Sequence, residues 1–136
     1  MYTLYSGSDY NISGQAIIKE KIDGSALVTI NISRTQPGLF HPTHIHLGAA
    51  NESGETIKLL NPVDGATGSS SSVVSTKENG ETIGYIDLIG METSIKVHLS
   101  DGEPGKGILL AGGNIGASTS TEDPFGRFEM AICGME

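Results

Sequence analysis

The stretch Ile12-Ser13-Gly14-Gln15-Ala16-Ile17-Ile18-Lys19-Glu20-Lys21-Ile22-Asp23-Gly24-Ser25-Ala26-Leu27-Val28-Thr29-Ile30-Asn31-Ile32 decides the fold. Ile12, Gly14, Ala16 and Ile18 share one parity. After the polar Lys19-Glu20-Lys21 and the pair Asp23-Gly24, Ala26, Val28, Ile30 and Ile32 resume the same alternation. A period of two puts one set of side chains on one face of a strand, and Asp-Gly supplies the left-handed backbone of a tight hairpin. Two antiparallel strands, each with one apolar face, are predicted.

Working outward, Thr35-Gln36-Pro37-Gly38 closes the second strand, and Thr43 to Leu47 reads as a third. Its alternation places Thr43, Ile45 and Leu47 on one face, and His44 and His46 on the other. Brief apolar pieces follow at Thr56 to Leu60, Val73 to Thr76 and Ile95 to Leu99, separated by turn formers such as Asn61-Pro62-Val63-Asp64-Gly65 and Glu78-Asn79-Gly80. The serine run 69–72 reads as a loop entering a strand, too short to act as a linker between domains. Ile83, Ile86 and Ile89 keep a spacing of three, while Gly84 and Gly90 each weaken a helix by about 1 kcal/mol, so one short helical turn is expected within 82–91. Gly107 to Leu110 and Phe125 to Cys133 complete the predicted strands. Many short strands between turn signals mean an all-β antiparallel sandwich or barrel, here a single domain spanning 1–136.

Composition agrees. The 136 residues include 19 Gly and no Trp, and the best helix formers rarely cluster. The formal charge of −8 argues against nucleic acid and anionic membrane surfaces as partners, because both reward clustered Lys and Arg. No apolar run reaches the roughly 20 residues of a membrane span. Cys133 is the single cysteine, so no internal disulfide is available, and its neighbours Ala131 and Ile132 suggest a buried thiol. Gly102-Glu103-Pro104-Gly105-Lys106-Gly107 lacks the order of a phosphate-binding loop, and no Gly-X-Ser-X-Gly nucleophile elbow occurs.

All four histidines fall in two places. His41, His44 and His46 lie together, and His98 sits within Ile95-Lys96-Val97-His98-Leu99. Two strand histidines two apart project from one face within reach of a common ion, although solvent-facing histidines would show the same spacing. If the two distant strands pair, three imidazoles meet, and neutral imidazole suits copper, zinc, nickel or ferrous iron with a coordination position left over. His41 has the parity opposite to His44. Pro42 could break the strand and swing it back as a fourth ligand or a supporting group.

The strand His44-Ile45-His46-Leu47-Gly48 after a glycine-rich hairpin resembles the CHRD domain first named in chordin. Tyr5-Ser6-Gly7, Ile12-Ser13-Gly14-Gln15-Ala16, Asp23-Gly24 and a late Val97-His98 followed by an acidic turn and Gly107 fall in that family's order. Leu60 to Gly68, Lys96 to Ser100 and Gly112 to Gly116 are similar to a bacterial subgroup of exported or lipid-anchored proteins, so that the resemblance covers 4–117. A more distant resemblance is to copper/zinc superoxide dismutase, a Greek-key β-sandwich whose copper is held partly by a His-X-His strand and by a histidine in a later Val-His strand. His44, His46 and His98 match those places, and Ala131-Ile132-Cys133-Gly134 is similar to that family's Ala-Cys-Gly end. The departures are specific. No histidine lies between His46 and His98 to form the zinc site, a second cysteine is missing, and Arg127 sits six residues before Cys133, out of the register that guides the anionic substrate.

The resemblances imply a Greek-key β-sandwich of the dismutase-like fold. They also imply an extracytoplasmic binding or interaction domain, secreted, periplasmic or lipid-anchored and here without its leader, acting on an extracellular or cell-surface partner. One copper or zinc ion at His44, His46 and His98, with His41 beside them, is the expected cofactor. Two alternatives stay open: a copper-dependent redox enzyme related to the dismutases, and a protein for metal capture or storage. Oligomeric state is not written in this pattern.

Overall fold

A computed structural model describes residues 2–6, 14–33, 35, 38, 40–49, 54–98 and 109–116. These form the strands β1 (Tyr2–Ser6), β2 (Gly14–Glu20), β3 (Ala26–Ile32), β4 (Phe40–Leu47), β5 (Thr56–Asp64) and β6 (Ser69–Val74). A short helix, α1 (Tyr85–Gly90), precedes β7 (Glu92–His98) and β8 (Leu109–Gly116). Neighbouring strands are antiparallel, and the ladder closes as a barrel in the order β1-β2-β3-β6-β5-β4-β7-β8, with β8 returning to β1. The all-β expectation holds, and the single helical turn falls where it was predicted.

The opening hairpin forms as read. β2 and β3 pair without a slip from Gly14↔Ile32 to Glu20↔Ala26. Gly24 takes φ 89° at the turn, where its N–H donates to the Lys21 carbonyl at 2.9 Å. Asp23 accepts from the Ser25 hydroxyl at 2.6 Å and its N–H at 3.0 Å, which holds the Asp23 carboxyl below the usual range. Ala16, Ile18, Ala26, Val28, Ile30 and Ile32 are all buried. They join Leu4, Ile45, Ile95, Val97, Leu110 and Ile115 in one apolar core.

Ile83 and Leu88 add to that core from the α1 segment. The Tyr85 N–H donates to the Gly24 carbonyl at 2.9 Å, so the helix start docks on the β2–β3 turn. Gly84 allows the approach, since a Cβ there would lie 2.7 Å from that same carbonyl.

Three segments are more extended than their composition predicts. Asn61-Pro62-Val63-Asp64 reads as a turn, yet β5 runs through it. The register steps from His41↔Val63 to Thr43↔Leu60, giving β5 one residue more than β4 across Asn61-Pro62, and a bulge is where a proline without an N–H is tolerated. The serine run belongs to β6, paired with β3 from Val28↔Ser72 to Asn31↔Ser69. Ser72 Oγ accepts the Asn61 N–H at 2.8 Å, and the Asn61 amide donates to the Ser71 carbonyl at 2.7 Å. Partners on both edges outweigh weak intrinsic preference. For the same reason β8 continues through Gly112-Gly113-Asn114 between β7 and β1. Leu47 is exposed at the end of β4 despite sharing parity with buried Thr43 and Ile45. The predicted strand Phe125 to Cys133, with Cys133 and Arg127, lies outside the described residues.

Candidate metal centre

β4 and β7 are far apart in sequence and adjacent in the barrel. Their register, Thr43↔Val97, His44↔Lys96, Ile45↔Ile95 and His46↔Ser94, sends Ile45, Ile95 and Val97 into the core. The opposite parity, carrying His44, His46, Ser94, Lys96 and His98, therefore occupies the outer face. His98 stands diagonally across from His44.

The three histidines converge. The rings of His44 and His98 lie 5.2 Å apart between centroids, tilted 45°, and those of His44 and His46 lie 5.6 Å apart in an edge-on arrangement at 64°. One nitrogen from each of His44, His46 and His98 lies within 4.8 Å of the other two. An ion bound at about 2.0–2.1 Å by three nitrogens holds them roughly 3.4 Å apart, so modest side-chain rotation closes the set.

His46 is fully buried, and its Nδ1 lies 3.2 Å from the Gly54 carbonyl and 3.3 Å from Thr56 Oγ1. A carbonyl can only accept, so the contact calls for the proton on Nδ1 and leaves the Nε2 lone pair for a metal. Gly54 reaches this position because it lacks a side chain: a Cβ would overlap the Leu47 carbonyl oxygen. The Leu47 N–H donates to the Glu55 carbonyl at 2.9 Å, anchoring the same segment.

His44 Nδ1 is buried and, among the described residues, has no hydrogen-bond partner. A buried polar atom left unmatched fits a site whose missing member is a ligand. Burial, followed by the neighbouring His98 charge and against the opposing pull of Glu78, lowers the His44 pKa to about 4. Burial is also the chief cause at His46, helped by the positive charge of Lys96 and opposed by the Gly54 contact, and again the value is about 4. Both imidazoles are neutral at neutral pH, the form that binds metal.

No family model, curated protein or solved structure matches the chain.

His41 does not join the three. It shares parity with Thr43 and Ile45, is fully buried, and its carbonyl accepts the Thr43 hydroxyl at 3.0 Å. The bulge beside Pro42 inserts its extra residue in β5, so β4 keeps its alternation and His41 is not swung round. Three neighbours of the cluster escaped the sequence reading. Lys96, fully buried, could have been found from its parity with His98; Gly54 and Thr56 could not, because their role depends on the β4–β5 pairing.

Proposed function

We propose that this protein is an extracytoplasmic CHRD-like binding module that holds one copper or zinc ion through His44, His46 and His98. The convergence of three imidazole nitrogens, two of whose rings burial keeps neutral, carries the reading. A three-nitrogen set supplies a trigonal base and leaves one position for water or a partner's donor atom. Bound there, the ion would cross-link β4 to β7 and offer a Lewis-acidic position on the outside of the barrel.

The connectivity supports a Greek-key arrangement of the dismutase-like kind: β4, β5 and β6 follow as hairpins, and β7 returns beside β4. Placement outside the cytoplasm is supported by the sequence resemblance, and the charge of −8 disfavours a nucleic-acid partner. No helix among the described residues is long and apolar enough to cross a membrane.

Calorimetric titration with Cu(II) and Zn(II) tests the reading. The wild-type chain is expected to bind one ion, and a His46→Ala, His98→Ala double variant none. Equal binding by the two proteins overturns it. Superoxide consumption by the copper-loaded protein above that of free copper would favour the redox-enzyme alternative over the module.

A further inference from the structure

We infer that Asn79-Gly80 is a one-way modification site: the hairpin around it holds the Asn79 amide back from cyclising onto the Gly80 nitrogen, and conversion of that amide to a carboxylate opens the hairpin. Of the asparagines in the chain only Asn79 is followed by glycine; the others precede Ile, Glu or Pro. A glycine leaves the attacking nitrogen unhindered, whereas Ile shields it and Pro has no N–H to lose. Asn79, Gly80 and Glu81 are all exposed, so water reaches the site. A Cβ on Gly80 would meet no heavy atom within 4 Å, and its φ of 91° is what calls for glycine there.

Residues 75–83 form the hairpin. Thr76 and Thr82 bridge antiparallel, the Ile83 N–H donates to the Ser75 carbonyl at 3.1 Å, and the Lys77 N–H donates to the Glu81 carbonyl at 2.8 Å. The Gly80 N–H, whose nitrogen is the nucleophile, donates to the Lys77 carbonyl at 3.0 Å. Both ends of the Asn79 amide are held as well: Oδ1 accepts the Glu81 N–H at 2.9 Å, and Nδ2 donates to Glu81 Oε1 at 3.0 Å. Attack requires the Gly80 nitrogen to lose its proton and the Asn79 side chain to turn toward it, and each costs a hydrogen bond. The reaction therefore runs through the opened hairpin, at a rate set by how often the hairpin opens.

In the opened state the Gly80 nitrogen attacks Asn79 Cγ. The N–Cγ bond forms, the Cγ–Nδ2 bond breaks, and Nδ2 leaves as ammonia with the proton given up by the Gly80 amide, which leaves a succinimide. Water then adds to either imide carbonyl and cleaves its bond to nitrogen, giving aspartate or isoaspartate at position 79. An ionised carboxylate only accepts, so it cannot donate to Glu81 Oε1, and two like charges would face each other where the amide had bonded. The Asn79 amide, ahead of Lys77, is also what holds the Glu81 carboxyl below its usual range, and the product loses that support. The change reaches the barrel through Glu78 in the same turn, whose N–H donates to the Ile57 carbonyl at 2.9 Å and whose carboxylate accepts the Leu59 N–H at 3.0 Å. Opening the turn loosens that hold on β5.

The test follows conversion at each asparagine by site-resolved mass spectrometry in the full chain at mildly alkaline pH, beside a synthetic peptide of residues 76–82. The peptide should convert at Asn79, and the folded chain should convert there first, about tenfold or more slowly than the peptide. Equal rates in the two overturn the protection, and another asparagine reacting ahead of Asn79 overturns the site. Glu81→Ala, which removes the partner of Nδ2, should convert about threefold or more faster than wild type, as befits one lost hydrogen bond. Glu81→Gln keeps an acceptor oxygen and should stay near wild type; equal rates in wild type and Glu81→Ala overturn the holding role of Glu81. Amide hydrogen exchange then reads the opening: in Asn79→Asp the Leu59 and Glu81 N–H groups should exchange faster than in wild type, while the amides of β3 keep their protection. Unchanged exchange at Leu59 and Glu81 overturns the opening step. Should Asn79→Asp not fold, converted wild-type chain, separated by its added negative charge, takes its place in the same measurement.

Discussion

His46 Nδ1 faces the carbonyl oxygen of Gly54 at 3.2 Å, a contact that calls for the ring proton on that nitrogen. It exists because the segment leading into β5 runs so close to Leu47 that any side chain on residue 54 would overlap the Leu47 carbonyl. A backbone oxygen, fixed by the fold, thus orients a candidate ligand.

Replacing Gly54 by Ala should weaken metal binding without removing a ligand. The added Cβ would overlap the Leu47 carbonyl, the segment must retreat, and His46 loses its orienting acceptor. Loss of such a partner costs about 10–100-fold in affinity. Zinc titration of Gly54→Ala measures it; the Thr56→Val change, which removes only the 3.3 Å hydroxyl contact, should have a smaller effect.

His98 and His41 should separate cleanly. His98→Ala removes one of three donors and is expected to lower affinity by 100-fold or more, about 2.7 kcal/mol. His41→Ala leaves the three donors in place and should keep the stoichiometry. Because His41 is fully buried, its loss should instead lower stability, by about 1–3 kcal/mol, in urea unfolding of the metal-free protein.

Acid should act on the fold before it acts on the ligands. In the folded chain His44 and His46 titrate at about 4, whereas an unfolded imidazole titrates near 6.5. Between these values the unfolded chain binds protons that the folded chain refuses, so these two groups make stability rise with pH. Their contribution is fully present above about pH 6.5 and is lost as pH falls toward 4. The melting temperature of the metal-free protein should decline across that window. Metal affinity of the still-folded protein should change little from pH 7.5 to about 5 as far as these two ligands govern it, since both remain neutral there.

The barrel interior should be far more sensitive than its exterior. Ile30 is fully buried, and Ile30→Ala is expected to cost about 2–5 kcal/mol. Ile22 stands fully exposed beside the hairpin turn, and Ile22→Ser should stay within about 0.5 kcal/mol. Urea unfolding of the two variants side by side measures the contrast.

The features that were legible share a physical cause. In β2 and β3, alternating Ile, Val and Ala report directly which face is buried, and Asp23-Gly24 has few uses other than a tight turn. His44 and His46 had to project from one face once β4 was a strand, because that is a property of the backbone alone. The features that were not legible depend on neighbours. Ser69 to Ser72 and Gly112-Gly113 carry little preference for a strand and become one because paired strands lie on either side. Pro62 passes for a turn residue until a bulge accommodates its missing N–H.

The histidines divide along the same line. By itself the sequence determined that His44 and His46 share a face, that His98 shares one with Ser94 and Lys96, and that His41 opposes His44, since a strand's period of two fixes each of these within one segment. Only the tertiary structure decided that β4 lies beside β7 in a register that makes one cluster of the two faces, left His41 on the other side, and buried Lys96 next to it. Pairing between distant strands depends on the closure of the whole barrel, and no local pattern encodes that closure.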